Sequence, residues 1–407
     1  MAGIYLHIPF CKKACHYCNF HFSTQTTDMQ TFVDALIQEI ELQKSYIKEP
    51  IETIYFGGGT PSLLNETQLK SILAAIYMHF DVANLIECTL EANPDDMHPS
   101  KLAAWKNIGV NRLSIGIQSF QASALTWMNR AHSVEQSHAA IQMALDAGIH
   151  NLSIDLIYGT PSLSDQALMA DLDWIEHYQI KHVSCYALTV EDKTALKKSI
   201  EKGQIENVDS EKQARHFEIV CTRLKAMGLE HYEISNFAKP GFRSQHNSNY
   251  WSGKTYLGLG PSAHSFNTIS RQWNIANNAL YIKSIENGLL NFEIEILTEA
   301  NRYNEYMMTS LRRMEGFDLD LIAEKFGEHY QKHSIAMIKE MDSKNIFNQK
   351  LLVSFGCGLT QSIFPQKLSP IIIILFIKLI YYLCGNKKFQ KEFYDHFLQN
   401  ASRLSIL

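Results

Sequence analysis

Residues 5–20 read Tyr5-Leu-His-Ile-Pro-Phe-Cys11-Lys-Lys-Ala-Cys15-His-Tyr-Cys18-Asn-Phe20. The three cysteines have the spacing C-x3-C-x2-C. Thiolates this close together can ligate three irons of a [4Fe–4S] cluster and leave the fourth iron open to a small molecule. Structural zinc sites usually have four ligands in two paired knuckles, and no second knuckle follows. A disulfide framework is typical of small secreted chains, so this stretch predicts an iron–sulfur cluster.

The composition is typical of a globular protein in a reducing compartment. With 407 residues, 46% of them hydrophobic and 19% charged, the chain can form one large domain and a small one. The net charge of −5 gives no electrostatic reason to bind nucleic acid. The first residues alternate like a strand, so we expect no signal peptide and a cytoplasmic protein. Five scattered cysteines are expected to pack as small apolar residues: Cys88, Cys185, Cys221, Cys357 and Cys384.

One apolar run near the end of the chain bears on membrane association. Pro370–Cys384 spans 15 residues and includes Lys378, which is short for a membrane-spanning helix. We therefore expect a buried helix or strand there. A transient contact with a membrane, at which a partner is met, is left open by the sequence.

Short apolar runs alternate with longer helical patterns over the first two-thirds of the chain. The predicted strands are Gly3–Ile8, Ile51–Phe56, Leu85–Leu90, Arg112–Ile117, Asn151–Ile157 and His182–Leu188. The predicted helices between them are Met29–Ile47, capped by Thr27 or Asp28, then Glu66–Phe80, Pro99–Ile108, Val134–Ala147 and Ser164–His177. This alternation predicts the α/β class, as an incomplete (β/α)6 barrel whose site lies at the carboxyl ends of its strands.

The pattern changes further along the chain and predicts four regions. Residues 1–235 form the barrel core, and residues 236–290 complete it. Residues 291–350 form a small, mainly helical domain with helices Glu299–Arg313 and Leu319–Phe326 and a polar helix to about residue 344. Residues 351–407 are an atypical tail.

Seven motifs in order carry a resemblance to a known family. They are Tyr5-x-His7-Ile-Pro-Phe-Cys, Phe56-Gly-Gly-Gly-Thr60-Pro, Glu91-x-Asn-Pro, Gly116-x-Gln118-Ser-Phe, Asn129-Arg130, Asp155-Leu-Ile-Tyr-Gly159-x-Pro and His246-Asn-x-x-Tyr-Trp251. Over about residues 1–350 the chain resembles the radical S-adenosylmethionine (SAM) proteins related to oxygen-independent coproporphyrinogen III oxidase, and among them the HemW heme chaperones. The resemblance implies a TIM-like radical SAM barrel, with SAM chelating the open iron and split by an electron from the cluster.

The resemblance also implies contacts between SAM and residues near the cysteines. Gly58, Gly59 and Thr60 would contact its amino end, Tyr5 its sulfonium, and Tyr17 its adenine. The glycines lack the Lys-Ser/Thr of a phosphate loop, so a nucleoside triphosphate is not expected there. A plain tight turn for the glycines and simple packing for the tyrosines are the alternatives.

Polar residues at or beyond the predicted strand ends belong to SAM sites by the same resemblance. Glu91 would contact the SAM on the cluster. Gln118, Arg130 and Asp155 would contact a second SAM, as in the oxidase relatives, and whether one binds here is left open. Isolated residues of this kind are more often helix caps or surface groups, but four at successive strand ends favour one polar ligand. None of them is assigned a catalytic role.

Two features distinguish the subfamilies. The chaperone type carries the pattern that begins at His246, and an imidazole flanked by aromatic rings suits heme iron and a porphyrin face. A structural turn is the alternative for His246. The oxidase type has a fourth cysteine two residues after the third, where this chain has Phe20, and a longer extension before the cluster than the ten residues here.

These features predict a heme chaperone that binds heme and passes it to an acceptor protein, with the cluster, SAM and a cellular reductant as controlling factors. The alternative is the oxidase, whose adenosyl radical takes a hydrogen from each of two propionates and leaves vinyl groups. Whether the protein is an enzyme is therefore left open. A third possibility is a radical SAM enzyme with an unrelated substrate. The tail from about residue 351 does not match the family.

Overall fold

The computed structural model describes residues 1–343, and six parallel strands form the centre of its sheet. These are β1 (Ala2–Ile8), β2 (Ile51–Gly58), β3 (Glu87–Ala92), β4 (Arg112–Gln118), β5 (Leu152–Tyr158) and β6 (His182–Ala187). They lie side by side in chain order, each parallel to the next. The predicted incomplete (β/α)6 barrel is confirmed, and all six strands end at the same edge of the sheet.

Helices connect these strands and begin at identifiable caps. They are α1 (Met29–Leu42), α2 (Glu66–His79), α3 (Pro99–Asn107), α4 (Ala122–Trp127), α5 (Val134–Asp146), α6 (Asp165–His177), α7 (Ala195–Glu201) and α8 (Ser210–Ala226). Asn65 and Ser133 each form a capping box with a glutamine three residues later. Helices α2 and α5 therefore begin where local sequence signals predict them.

The first helix begins at the predicted residue, Met29, but ends earlier than predicted. Asp28, one of the two predicted cap residues, occupies the cap position of α1, although its side chain accepts no bond from the first turn. The helix ends at Leu42, not Ile47. After it, Lys44 and Tyr46 donate their backbone N–H groups to carbonyls three residues earlier, which gives turns instead of another helical turn.

The sheet continues beyond the parallel strands on both sides. The further elements are β7 (Glu230–Glu233), β8 (Asn236–Ala238), α9 (Gln245–Trp251), β9 (Tyr256–Leu259), β10 (His264–Phe266), β11 (Ser270–Asn274), α10 (Asn278–Glu286) and β12 (Phe292–Ile296). β9 lies parallel to β1, and β10, β11 and β12 follow it in antiparallel order. β8 lies antiparallel to β6. The resulting order is β12-β11-β10-β9-β1-β2-β3-β4-β5-β6-β8-β7.

The described chain divides into two compact units. The first contains Met1–His231 and Ser235–Ile296, and the second contains Tyr232–Ile234 and the residues from Leu297 onward. The predicted boundaries at residues 235 and 290 stay predictions. No helix among residues 1–343 is long and apolar enough to cross a membrane. The tail 351–407, with Pro370–Cys384, Cys357 and Cys384, lies outside the described residues.

The second unit contains the three predicted helices. They are α11 (Glu299–Arg312), α12 (Leu319–Phe326) and α13 (Glu328–Ser343). Its core is formed by Tyr303, Met307, Ile322, Phe326 and Met337. Within the same unit Arg312 donates to the buried carboxylate of Glu233 at 3.3 Å. The mainly helical character predicted for this part of the chain is confirmed.

A buried carboxylate connects α1 to the later strands. Glu39 is completely buried and accepts hydrogen bonds from Gly260 N at 2.7 Å, Asn274 Nδ2 at 2.6 Å and Tyr281 Oη at 2.6 Å. Gly260 has a φ of +95°, and a Cβ there would lie 2.5 Å from the carbonyl oxygen of His7. Glu39 therefore holds the turn after β9 close against β1.

Glu39→Gln is expected to lower the free energy of unfolding by about 1–3 kcal/mol. The NH2 group of the glutamine would replace a carboxylate oxygen and would face a hydrogen-bond donor that then has no acceptor. Urea denaturation of the two proteins measures the difference. Glu41→Gln, at an exposed position on the same helix, is the matched control and should change stability by less than about 0.5 kcal/mol. Equal losses in both variants would contradict the role given to Glu39.

Candidate cofactor-binding site

The three cysteines lie in one loop at the carboxyl end of β1. Cys11, Cys15 and Cys18 are all partly exposed. The base of the loop is closed by two backbone bonds, from Cys11 N to Ser23 O at 3.0 Å and from Ser23 N to Pro9 O at 2.8 Å. The loop therefore presents three sulfurs from a fixed base.

Side chains from the neighbouring strand ends donate to two of these sulfurs. Thr60 Oγ1, after β2, donates to Cys11 Sγ at 3.4 Å, and the Arg130 guanidinium donates to Cys15 Sγ at 3.2 Å. The same guanidinium donates to Asn93 Oδ1 at 2.7 Å and to Gly116 O at 2.8 Å. Donors and positive charge beside a thiol favour the thiolate, which is the form that binds metal.

The donor set fits an iron–sulfur cluster better than a single ion. Within residues 1–343, no three His, Cys, Asp or Glu side chains converge on one ion position. Cysteines that hold a cluster each bind a different iron and need not converge. Burial raises the pKa of Cys11 to about 11 and that of Cys18 to about 12, so these thiols are protonated until metal displaces the protons.

Glu91, near the end of β3, forms a second group of polar atoms. Its Oε1 accepts from Tyr55 Oη at 2.8 Å and its Oε2 accepts from Gly58 N at 3.2 Å. Burial raises the pKa of Glu91 to about 8, and the bond from Tyr55 opposes part of that rise. Once ionised, such a carboxylate can accept N–H groups from a ligand amine.

The glycines at the end of β2 let three chain segments approach closely. A Cβ at Gly58, whose φ is +105°, would lie 2.5 Å from His7 Nδ1, and a Cβ at Gly59 would lie 2.6 Å from the carbonyl oxygen of Phe10. The described contacts are thus between β2, β1 and the cysteine loop. Contact of Gly58, Gly59 and Thr60 with SAM stays a prediction.

The two predicted tyrosines occupy different surroundings. Tyr5 stacks on Tyr55 with ring centroids 6.1 Å apart, and its hydroxyl lies 3.2 Å from His7 Nδ1. Tyr17 packs against the cluster of buried apolar residues that includes Leu125 and Met128. Tyr5 therefore adjoins the Glu91 group, whereas Tyr17 belongs to the cysteine loop.

Gln118 and Arg130 lie side by side at the end of β4. A Cβ at Gly116 would lie 3.0 Å from Gln118 Nε2 and 3.2 Å from the Arg130 guanidinium. Gln118 has a φ of +67°, which is uncommon outside glycine. Asp171 holds the turn that follows, accepting from Ser119 Oγ at 2.6 Å. The structure thus brings Arg130 to Cys15 and places the Gln118 side chain beside that of Arg130.

Asp155, on β5, lies among polar side chains of the neighbouring strands. Ser114 Oγ donates to its carboxylate at 3.1 Å. Burial raises the pKa of Asp155 to about 6, against the effect of its hydroxyl donors. It lines a polar cavity, with room for about one water molecule, together with Tyr55 and Arg112. A contact between Asp155 and a second SAM stays a prediction.

The structure places the ring of His246 against the ring of Tyr55, whose hydroxyl donates to Glu91. Only 1% of the residue is exposed. Its Nδ1 lies 2.7 Å from Thr53 Oγ1 and its Nε2 lies 3.1 Å from Tyr250 Oη. Burial lowers the pKa of His246 to about 3, so the ring is neutral. Both ring nitrogens thus have protein partners, and contact with heme iron stays a prediction.

Sequence reasoning assigned no role to two residues that organise this site. Tyr55 binds Glu91, and Asn93 binds Arg130. Asn93 stood inside the Glu91-x-Asn-Pro motif. Tyr55 and Gly57 lie two residues apart, and alternate residues of a strand face the same side, so Tyr55 was detectable as a neighbour of the glycine motif.

Thr60→Val is expected to lower the reduction potential of the cluster, because a hydrogen bond to a ligating sulfur stabilises the reduced, more negative form. A redox titration of the reconstituted protein without SAM measures the potential. Thr60→Ser keeps the hydroxyl and is the matched control, with a potential near that of the parent protein. A potential that is the same in the valine and serine variants would argue against the bond.

Comparisons with known proteins agree with this architecture. The family model for the radical SAM superfamily matches residues 5–175. The heme chaperone HemW of Bacillus subtilis is 34% identical over 352 residues, which are 86% of this chain and 93% of that protein. HemW of Lactococcus lactis is 33% identical over 349 residues, 86% of this chain and 90% of that protein.

A solved structure supports the fold. Coproporphyrinogen III oxidase (HemN) from Escherichia coli superposes with a TM-score of 0.77, covering 95% of this chain and 90% of that chain at 18% identity. At that identity the likeness concerns the fold alone. Because about a third of the residues are identical to HemW proteins over more than four fifths of this chain, the chain belongs to the HemW family of the radical SAM superfamily.

Proposed function

We propose that this protein is a heme chaperone that binds heme and transfers it to an acceptor protein. Its membership of the HemW family carries the proposal, because the relatives that match most of its length are named heme chaperones. Phe20, at the position where the oxidase type has a fourth cysteine, supports the same reading. The acceptor is a protein, and a cellular reductant would supply electrons to the cluster.

The site residues have separate tasks in this proposal. Cys11, Cys15 and Cys18 would hold a [4Fe–4S] cluster, and the chemistry supplied there would be the electron that splits SAM. The ionised carboxylate of Glu91 would accept N–H groups of the SAM amine, and Tyr55, which donates to it, would fix its orientation. Arg130 offers positive charge beside Cys15.

The proposal also concerns location. The six cysteines within residues 1–343 are all free thiols, which supports a reducing cytoplasm. Transient binding to a membrane, at which the acceptor protein would receive heme, is compatible with this location.

Titration of heme into anaerobically reconstituted protein tests the proposal. The expected result is a saturable Soret band at about one heme per chain, with the cluster absorbance intact. No saturable uptake at micromolar heme would overturn the chaperone function.

The oxidase alternative has its own assay. Coproporphyrinogen III is incubated anaerobically with the protein, SAM and a reductant, and the chaperone reading expects no protoporphyrinogen IX above background. Its formation at a rate set by protein concentration would replace the proposed function with the enzymatic one.

A further inference from the structure

We infer that His246 is a positioning residue for Glu91, acting through the ring of Tyr55. The inference rests on the proposed function of Glu91 as a contact of SAM. It gives the motif that begins at His246 a task in SAM binding, in addition to any task in heme binding. Four sets of contacts carry it, from the start of α9 to the Glu91 carboxylate.

The start of α9 is fixed by a buried carboxylate from the first residue of β3. Glu87 is 3% exposed, and its two oxygens accept the backbone N–H groups of Gln245 at 2.9 Å and His246 at 3.0 Å. A carboxylate at this place satisfies donors that have no partner within the helix. The backbone of His246 is therefore held to the barrel and cannot shift independently of β3.

The ring of His246 is fixed in turn by one contact at each nitrogen. Thr53, on β2, binds Nδ1, and Tyr250, one turn further along α9, binds Nε2. A Cβ at Gly3 would lie 3.3 Å from the ring, so β1 closes the space on that side. Rotation of the ring would break two buried hydrogen bonds, which holds it in one orientation.

The fixed ring supports Tyr55 from one side. The two rings stack with centroids 5.0 Å apart and an interplanar angle of 24°. Tyr5 also stacks on Tyr55, at 6.1 Å and 27°. A Cβ at Gly57 would lie 2.9 Å from the ring of Tyr55 and 3.0 Å from Glu91 Oε1. Tyr55 is thus confined, and its hydroxyl reaches Glu91 at 2.8 Å in a defined direction.

These contacts separate two tasks for the same histidine. Coordination of iron requires a ring nitrogen with an available lone pair, and in the described conformation each nitrogen of His246 already has a hydroxyl partner. Support of Tyr55 requires the ring in the place where the structure has it. The positioning task therefore needs no rearrangement of α9.

The test measures the dissociation constant of SAM from the reconstituted protein by the change in the EPR spectrum of the reduced cluster. Tyr55→Phe removes the bond to Glu91 but keeps the stack, and we expect SAM to bind about tenfold more weakly. His246→Gln removes the stack, and we expect weakening of about threefold to tenfold. The double variant should bind SAM within about twofold of Tyr55→Phe alone, because both changes act through one bond.

Two further variants distinguish the loss of a contact from a general folding defect. Thr53→Val keeps the side-chain shape and removes only the bond to His246 Nδ1, so it should weaken SAM binding in the parent protein and have no effect beside Tyr55→Phe. Gln245→Ala, whose exposed side chain lies on the same helix, is the control and should leave SAM affinity within about twofold. Iron content, measured for each variant, shows whether the cluster is intact.

The outcomes distinguish the inference from the function on which it rests. Losses of SAM affinity that add in the double variant would overturn the inference, and so would unchanged SAM affinity in His246→Gln together with lost heme uptake. In both cases, if the parent protein binds SAM and Glu91→Gln weakens that binding, the proposed contact between Glu91 and SAM is retained. Absence of SAM binding by the parent protein with an intact cluster would overturn both the inference and the proposed contact between Glu91 and SAM, while heme uptake tests the chaperone function separately.

Discussion

Replacing Cys15 with alanine is expected to abolish the iron–sulfur cluster and, with it, every SAM-dependent signal. Three cysteines are the full set of protein ligands in the proposed site, and two ligands do not retain a cluster whose fourth iron has none. The change also leaves the Arg130 guanidinium without its sulfur acceptor. Iron and sulfide analysis after anaerobic reconstitution, with the visible spectrum, measures the result.

Cys221→Ala is the control for this experiment. Cys221 is a partly exposed free thiol on α8, outside the cysteine loop, and its replacement should leave iron content unchanged. Cys11→Ala and Cys18→Ala should behave as Cys15→Ala does. A protein with all three cysteines replaced that kept the brown absorbance of a [4Fe–4S] cluster would refute the assignment.

The second large effect is expected from Glu91→Gln. The amide keeps the shape of the side chain but removes the negative charge that would accept N–H groups from the SAM amine. A hydrogen bond to a charged group contributes about 1.5–3 kcal/mol, so SAM should bind about tenfold to a hundredfold more weakly at pH 9. Iron content should not change, because Glu91 ligates no iron in the proposed site.

The effect of Glu91→Gln on SAM affinity is expected to depend on pH. With a pKa of about 8, Glu91 is protonated in most molecules at pH 7 and ionised in most at pH 9. The ratio of parent to Glu91→Gln affinity should therefore rise about tenfold between these pH values. Taking the ratio removes the titration of SAM itself, which is common to both proteins. A ratio that is flat with pH would contradict the role of the carboxylate.

The same raised pKa affects folding in the opposite direction. Between the ordinary pKa of 4.5 and about 8, the folded protein holds the Glu91 proton more firmly than the unfolded chain. Through this group alone, the free energy of unfolding is expected to fall as pH rises across that window. Deprotonation thus favours SAM binding while it opposes folding, which is typical of a group placed for a ligand.

The central fold was predictable because its six strands are apolar runs separated by helical patterns of regular length. The later strands were not predictable, since β9–β12 have three to five residues each and mix polar with apolar side chains. β11 reads Ser270-Arg-Gln-Trp-Asn274 and carries no alternating pattern. Such strands form because β1 offers an edge for β9, which is a tertiary cause.

The site was predictable in its residue types but not in its connections. Motifs at strand ends indicated Glu91 and Arg130, since the ends of parallel strands meet at one edge. The bond from Arg130 to Cys15 depends on how the cysteine loop packs against the residues that follow α4, which sequence spacing does not encode. The burial of His246 depends likewise on α9 packing against β2 and β3, segments that lie far away in the chain.

The guanidinium of Arg130 joins three separate segments, namely the cysteine loop, the residue after β3 and the middle of β4. This side chain attaches the loop to the barrel, and the binding free energy of iron at the loop would be added to the stability of the folded chain by mass action. The resistance of this protein to heat and proteases is therefore expected to follow iron supply. The amount of this protein in a cell would then fall during iron starvation, before any heme is transferred.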